Sequence, residues 1–243
     1  MLRSAKFLEA YSDIEKHMRL VTESDRYVSF YQLIAAAAKR SPPVHRYKDD
    51  LKEYADLRNA IVHERSGGEV IAEPNERVVD SIERLAELIT SPPRVLPLFQ
   101  RMVQTIESDA PISQVLSFFF PRNLSQLPVM SRGKIIGLLT TNTVSRWLAD
   151  QAKHELVDVT EHSVGDALKY AEFKGDWCLV SKSTLLAEVI DSFDSAEAGG
   201  MRLEAVLVTH SGKSNEALLG IVTVHDIPKA LRKLDPRPSS RAA

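Results

Sequence analysis

The chain carries nearly the same phrase twice, 83 residues apart: Gly137-Leu138-Leu139-Thr140 and Gly220-Ile221-Val222-Thr223, each followed by a helix-like run. A repeat at this spacing calls for two copies of one small module. Each copy ends an apolar strand at a hydroxyl, just where a helix begins and its unpaired N–H groups attract anions. That geometry suits a nucleotide sensor better than an enzyme. The surrounding pattern repeats as well. Ile112, Val115, Leu116 and Phe119 have the same spacing as Leu186, Val189, Ile190 and Phe193, at an offset of 74. The second copy therefore holds nine extra residues, expected in loops around 194–200 and in the polar hairpin 211–216.

In the first copy the pattern predicts strands over 103–106, 127–130 and 135–140, a turn at Ser131-Arg132-Gly133-Lys134, and a helix containing Val144, Trp147 and Leu148. The second copy repeats the order from a strand over 178–181. Trp177, at the start of that strand, reads as packing. Pro228 removes a backbone donor from any helix running on from Val224, so that helix starts late or kinks.

Residues 1–91 instead show helical periodicity. Phe7, Tyr11, Ile14 and Met18 mark one helix; Val28, Tyr31, Ile34 and Ala35 mark a second. A third is expected over 45–65, stopped by Gly67-Gly68, and a fourth from Pro74 with Val78, Ile82, Leu85 and Ile89 as its stripe. Four helices with short connections make a small bundle. Ser91-Pro92-Pro93 ends the pattern and marks the boundary.

Charge narrows the function. Lys plus Arg total 31 against 33 Asp plus Glu, and residues 1–91 hold 14 basic and 16 acidic residues, so no long-range field recruits nucleic acid or an anionic membrane. The one cysteine, Cys178, excludes an intramolecular disulfide framework and reads as a buried thiol in a reducing compartment. No run reaches the roughly 18 apolar residues of a membrane span. A cytoplasmic location is expected. The seven histidines lack zinc spacing, and no P-loop or Gly-x-Ser-x-Gly elbow occurs.

The strand–helix–strand–strand–helix order closing on glycine, two apolar residues and threonine resembles the cystathionine-β-synthase (CBS) domain, as a tandem pair over 94–235. The resemblance implies one pseudo-symmetric module with clefts that hold adenosine ligands such as AMP, ATP or S-adenosylmethionine. It further implies a threonine on phosphate and, three residues later, an aspartate on the ribose hydroxyls. The second copy has both, Thr223 and Asp226. The first has Thr140 but places Thr143 at the aspartate position, where a neutral hydroxyl lacks the charge and the second oxygen with which a carboxylate accepts from two ribose hydroxyls. One strong site is therefore expected, in the second copy. A threonine with an acidic residue three later is also a capping box, so a purely structural role for Thr223 and Asp226 stands beside the ligand role.

In the helical part, Arg58-Asn59-Ala60-Ile61-Val62-His63 resembles the motif of HEPN domains: arginine, a polar residue, then a histidine four to six residues on. The resemblance implies a four-helix bundle, a homodimer with motifs facing across the interface, and in many members a metal-independent endoribonuclease. Arg58 would hold phosphate, Asn59 would orient the histidine, and His63 would be the acid–base group. On one ideal helix Arg58 and His63 point about 140° apart, so a shared site needs a bend or a second subunit. Many bundles with this resemblance are non-catalytic, and surface caps explain the same residues. Lys39, Arg40, His45, Arg46 and Lys48 are the one local basic cluster, read as a solvated loop.

The expected architecture is α+β: an all-α four-helix bundle over 1–91, then a tandem CBS (Bateman-type) module with copies over 94–155 and 156–235, and a flexible tail over 236–243. The expected function is regulation by an adenine nucleotide of a HEPN-like domain, with RNA as candidate substrate. The alternative is a non-catalytic sensor whose bundle serves dimerisation or partner binding. No cofactor, metal, DNA specificity or membrane partner is expected.

Overall fold

Phe7, Tyr11, Ile14 and Met18 form the buried edge of α1 (Arg3–Thr22), as their spacing predicts, none more than 6% exposed. The structure, a computed structural model, describes residues 2–23, 28–63, 65–66, 69–70, 73–153, 157–173 and 175–237, with backbone alone at 63, 65, 66, 69 and 70. These residues divide into two units. One holds the chain up to Pro93, Leu185–Glu188 and the stretch from Lys229; the other holds Arg94–Thr184 and Val189–Pro228.

In the helical unit, α2 (Phe30–Ala37) departs from the expected stripe. Ser29 and Gln32 close a capping box that starts the helix at Phe30, which turns Leu33, Ile34 and Ala37 inward. Tyr31 faces out, 43% exposed, with its hydroxyl on Asp56. The helix expected over 45–65 is two: Ser41 caps a single turn, α3 (Pro42–Arg46), and α4 (Lys48–His63) follows beyond Tyr47. The described bundle helices therefore number five. The expected stop at Gly67-Gly68 lies outside the described residues; a two-residue antiparallel ribbon, β1 (Arg65–Ser66) and β2 (Glu69–Val70), stands on either side of it.

The last bundle helix, α5 (Glu76–Thr90), is capped by Asn75 rather than begun by Pro74, since the Asn75 side chain accepts from the Val78 N–H at 3.1 Å. Its buried stripe is Val79, Ile82, Leu85, Leu88 and Ile89, with Val78 half-buried in the first turn. Each such side chain contributes roughly 1.5–3 kcal/mol on burial against about 1 kcal/mol for the cap. The stripe, not the cap, holds this helix down. Tyr54 ties α4 to α5 through a 2.8 Å hydrogen bond to Ser81.

The other unit is built from two three-stranded sheets of the same topology. After a short helical segment, α6 (Val95–Leu98), come β3 (Ile106–Glu107), α7 (Ile112–Arg122), β4 (Gln126–Ser131), β5 (Lys134–Thr140) and α8 (Thr141–Gln151). After α9 (Val164–Leu168) come β6 (Trp177–Ser181), α10 (Leu186–Ala198), β7 (Ala205–Thr209), β8 (Gly220–Thr223), a 3-10 turn at Val224–Asp226, and α11 (Ile227–Leu234); the start of α10 up to Glu188 and α11 from Lys229 belong to the helical unit. β4 lies parallel to β3 and antiparallel to β5; β7 lies parallel to β6 and antiparallel to β8. The fold class is α+β, as expected.

Strand register accounts for the nine extra residues. Gln126 faces Thr140 and Ala205 faces Thr223, so the offset is 79 at the first strand of each pair and 83 at the second. Five extra residues thus lie between helix and strand and four in the hairpin, both in the regions expected. β7 is buried at all five positions. Ile135 and Leu138 of the first copy share a core cluster with Ala205, Leu207 and Ile221 of the second. Neither sheet buries its face alone.

The leader segments extend the repeat. Val164 donates to the Ala110 carbonyl at 2.8 Å and Ile112 to that of His162 at 3.0 Å; Val95 donates to Thr184 at 2.9 Å and Leu186 to Pro93 at 2.8 Å. Each leader thus pairs with the copy it does not immediately precede. α9 covers Gly137, where an added β-carbon would meet Leu168 Cδ2 at 2.6 Å. The α6 leader covers Gly220, where it would meet the Phe99 carbonyl oxygen at 2.3 Å. Both glycines of the repeated phrase are sites of close chain approach.

Candidate functional site

β8 ends at Thr223 in extended backbone, and the 3-10 turn brings Asp226 back beneath it. The Asp226 Oδ2 accepts from the Thr223 N–H at 2.9 Å and from its hydroxyl at 3.1 Å. α11 begins only after this turn, which places Pro228 in its first turn, where a missing donor costs nothing. The helix starts late.

A third donor reaches the same carboxylate oxygen. Arg101 is strung along β8 by its N–H to the Leu219 carbonyl at 3.2 Å. Its Nη2 donates to the Ile221 carbonyl at 2.5 Å and to Asp226 Oδ2 at 2.8 Å. The Asp226 side chain is 18% exposed and that of Arg101 43%. Oδ1 of Asp226 accepts no hydrogen bond from a described residue. These groups line a cleft of about 320 Å³ whose other wall includes Val103, Leu124, Leu127 and Pro128 from the first copy. One wall is polar and charged; the other sets these apolar side chains among Gln104, Asn123, Ser125 and Gln126.

The first-copy pair is arranged differently. Thr140 caps α8 by accepting from the Thr143 N–H at 3.0 Å, and the two hydroxyls lie 3.0 Å apart. Thr140 is 8% exposed and Thr143 2%. Each hydroxyl therefore has a partner in the other.

In the helical unit Arg58 and Asn59 are neighbours, Arg58 Nη1 donating to Asn59 Oδ1 at 3.4 Å. Arg58 also lies close enough to Tyr11 for its charge to oppose the rise that burial and Glu15 impose on that phenol. His63 ends α4, and its side chain lies outside the described residues. Cys178 is half-buried rather than buried, and desolvation still raises its pKa. Asp176, beside β6, has its pKa pushed up to about 6, first by burial and then by Glu204.

Among the described residues no three of His, Cys, Asp and Glu gather to hold a metal ion. Among them, too, no helix is long and apolar enough to cross a membrane. Of the residues 238–243, at the end of the expected tail, nothing is described. Arg101 was not legible as a site residue: it stands in the unpatterned run Phe99-Gln100-Arg101-Met102, whose only signal is that Val95 and Phe99 match Val164 and Leu168 at one offset of 69.

Residues 85–150, which cover most of the first copy, match the family model of the CBS domain. Solved structures of CBS-domain proteins are similar to this chain at low identity. The CBS-domain containing protein ATU1752 from Agrobacterium tumefaciens is 17% identical, with 54% of this chain and 85% of that chain covered and a TM-score of 0.40. The CBS domain pair of protein MJ0100, in complex with 5′-methylthioadenosine and S-adenosyl-L-methionine, is 17% identical, covering 57% and 95%, with a TM-score of 0.42. The CBS domain of the bacterial CNNM/CorC family Mg²⁺ transporter, in complex with ATP, is 15% identical, covering 63% and 96%, with a TM-score of 0.44. No curated protein matches.

Proposed function

We propose that this protein is a regulatory sensor whose cleft beside Thr223 and Asp226 binds an adenosine ligand of the AMP, ATP or S-adenosylmethionine class. The observation that carries this reading is the Asp226 carboxylate. Three donors fix one of its oxygens at the cleft, and the other is left to accept from a vicinal diol. A cap alone needs Thr223 and not Arg101. The apolar side chains of Val103, Leu124 and Leu127, interleaved with polar neighbours, offer a surface for a base. Thr140 and Thr143, closed on each other, are assigned no strong ligand. Calorimetry with AMP, ATP and S-adenosylmethionine tests the reading; absence of heat from all three contradicts it.

The helical unit is the proposed output. A ligand biases it only by preferring one of two arrangements. In the alternative form of this reading it is non-catalytic and serves as the dimerisation or partner surface of a homodimer. The ribonuclease form rests on the adjacent, hydrogen-bonded Arg58 and Asn59 with His63 on the same helix. Incubation with structured RNA separates the two. Cleavage lost in His63→Ala supports the nuclease, and cleavage that survives this change removes the assigned mechanism.

A further inference from the structure

Resting on the adenosine reading above, we infer that Arg101 is the anion-recognising residue of the cleft and selects a nucleoside phosphate over the nucleoside. The argument starts from proton bookkeeping. Thr223 has a single hydroxyl proton, and it is donated to Asp226 Oδ2. While that bond stands, the hydroxyl can accept but cannot donate to a phosphate oxygen. A phosphate in this cleft therefore needs another donor.

Arg101 supplies it. A guanidinium carries five N–H groups. Nη2 commits both of its own, to the Ile221 carbonyl and to Asp226. The Nη1 and Nε donors have no acceptor among the described residues, and the side chain is 43% exposed at the cleft. The two Nη2 bonds hold the plane in place before a ligand arrives, so less rotamer entropy is lost when an anion binds. The same charge balances Asp226, which would otherwise repel a phosphate nearby. A ribose on Asp226 and a phosphate on Arg101 would be held by one preassembled pair.

The test is calorimetric titration of the full chain with AMP and, separately, with adenosine, for wild type, Arg101→Gln and Arg101→Lys, each checked for an unchanged thermal melt. The expected result is that Arg101→Gln weakens AMP about tenfold or more beyond any weakening of adenosine, which shares only the loss of one donor to Asp226. Arg101→Lys keeps part of the AMP preference, and salt weakens AMP less in Arg101→Gln than in wild type. Equal weakening of AMP and adenosine would make Arg101 a support for Asp226 and overturn the inference. So would unchanged AMP binding in Arg101→Gln. Wild type that binds adenosine but prefers AMP by no measurable factor overturns the inference while leaving the adenosine reading intact; wild type that binds neither removes both.

Discussion

The Phe99 carbonyl oxygen lies 2.3 Å from where a β-carbon on Gly220 would stand, so the α6 leader rests directly on the backbone of β8. The corresponding approach at Gly137 is made by the Leu168 side chain, at 2.6 Å from Cδ2. The two glycines occupy matching positions but face different obstacles. Gly220→Ala must displace backbone, an overpacking cost of about 1–3 kcal/mol, whereas Gly137→Ala is relieved by rotating a leucine and should cost less. Urea denaturation of both variants checks the order; a larger loss for Gly137→Ala contradicts it.

The Tyr47 hydroxyl donates to the Leu234 carbonyl at 2.6 Å, and Arg84 Nη2 donates to that of Lys233 at 3.0 Å. Both serve the carbonyls at the end of α11, which have no partner within a helix. Tyr47→Phe leaves one of them buried without its donor and should lower stability by about 1–2 kcal/mol. Faster amide exchange over residues 230–234 should accompany the loss. Unchanged exchange there would show that the phenol does not hold the helix end.

Asp176 gives a pH dependence of defined sign. Its folded pKa is raised from 3.8 to about 6 by burial and by Glu204. Between about pH 4 and 6 the unfolded chain has released this proton and the folded chain has kept it, so this group makes stability fall as pH rises through that window. Above pH 6 both states are ionised and the full penalty remains. Asp176→Asn should flatten this component and raise the melting temperature at pH 7. A variant that melts lower than wild type at pH 7, with the same slope, contradicts the assignment.

Much of the repeat was legible because it rests on local rules. The strands β4, β5 and β6, the Arg132-Gly133 turn, the late start of α11 before Pro228 and the loops holding the extra residues all follow from residue type and spacing, whereas the strand expected over 103–106 starts only at Ile106. The helical unit was legible in α1 and less so elsewhere. The Ser29 capping box rotates α2 so that Leu33 and Ala37, not Val28 and Tyr31, face inward, and Ser41 with Pro42 starts a separate turn before α4. The exchange of leader segments was not legible at all. It is made by backbone bonds such as Val95 to Thr184, which leave no mark on side-chain pattern. Arg101 was missed for the same reason: a long-range backbone pairing places it at Asp226, 125 residues away.

The most direct test is titration of the folded chain with AMP, comparing wild type with Asp226→Ala and with Thr143→Ala. Loss of hydrogen bonds to a charged acceptor is worth about 1.5–3 kcal/mol, or about tenfold to a hundredfold in affinity. The account predicts one AMP per wild-type chain, affinity lowered by that factor in Asp226→Ala with the fold retained in a thermal melt, and no change in Thr143→Ala. Wild-type affinity in Asp226→Ala, or no binding by wild type, would contradict it.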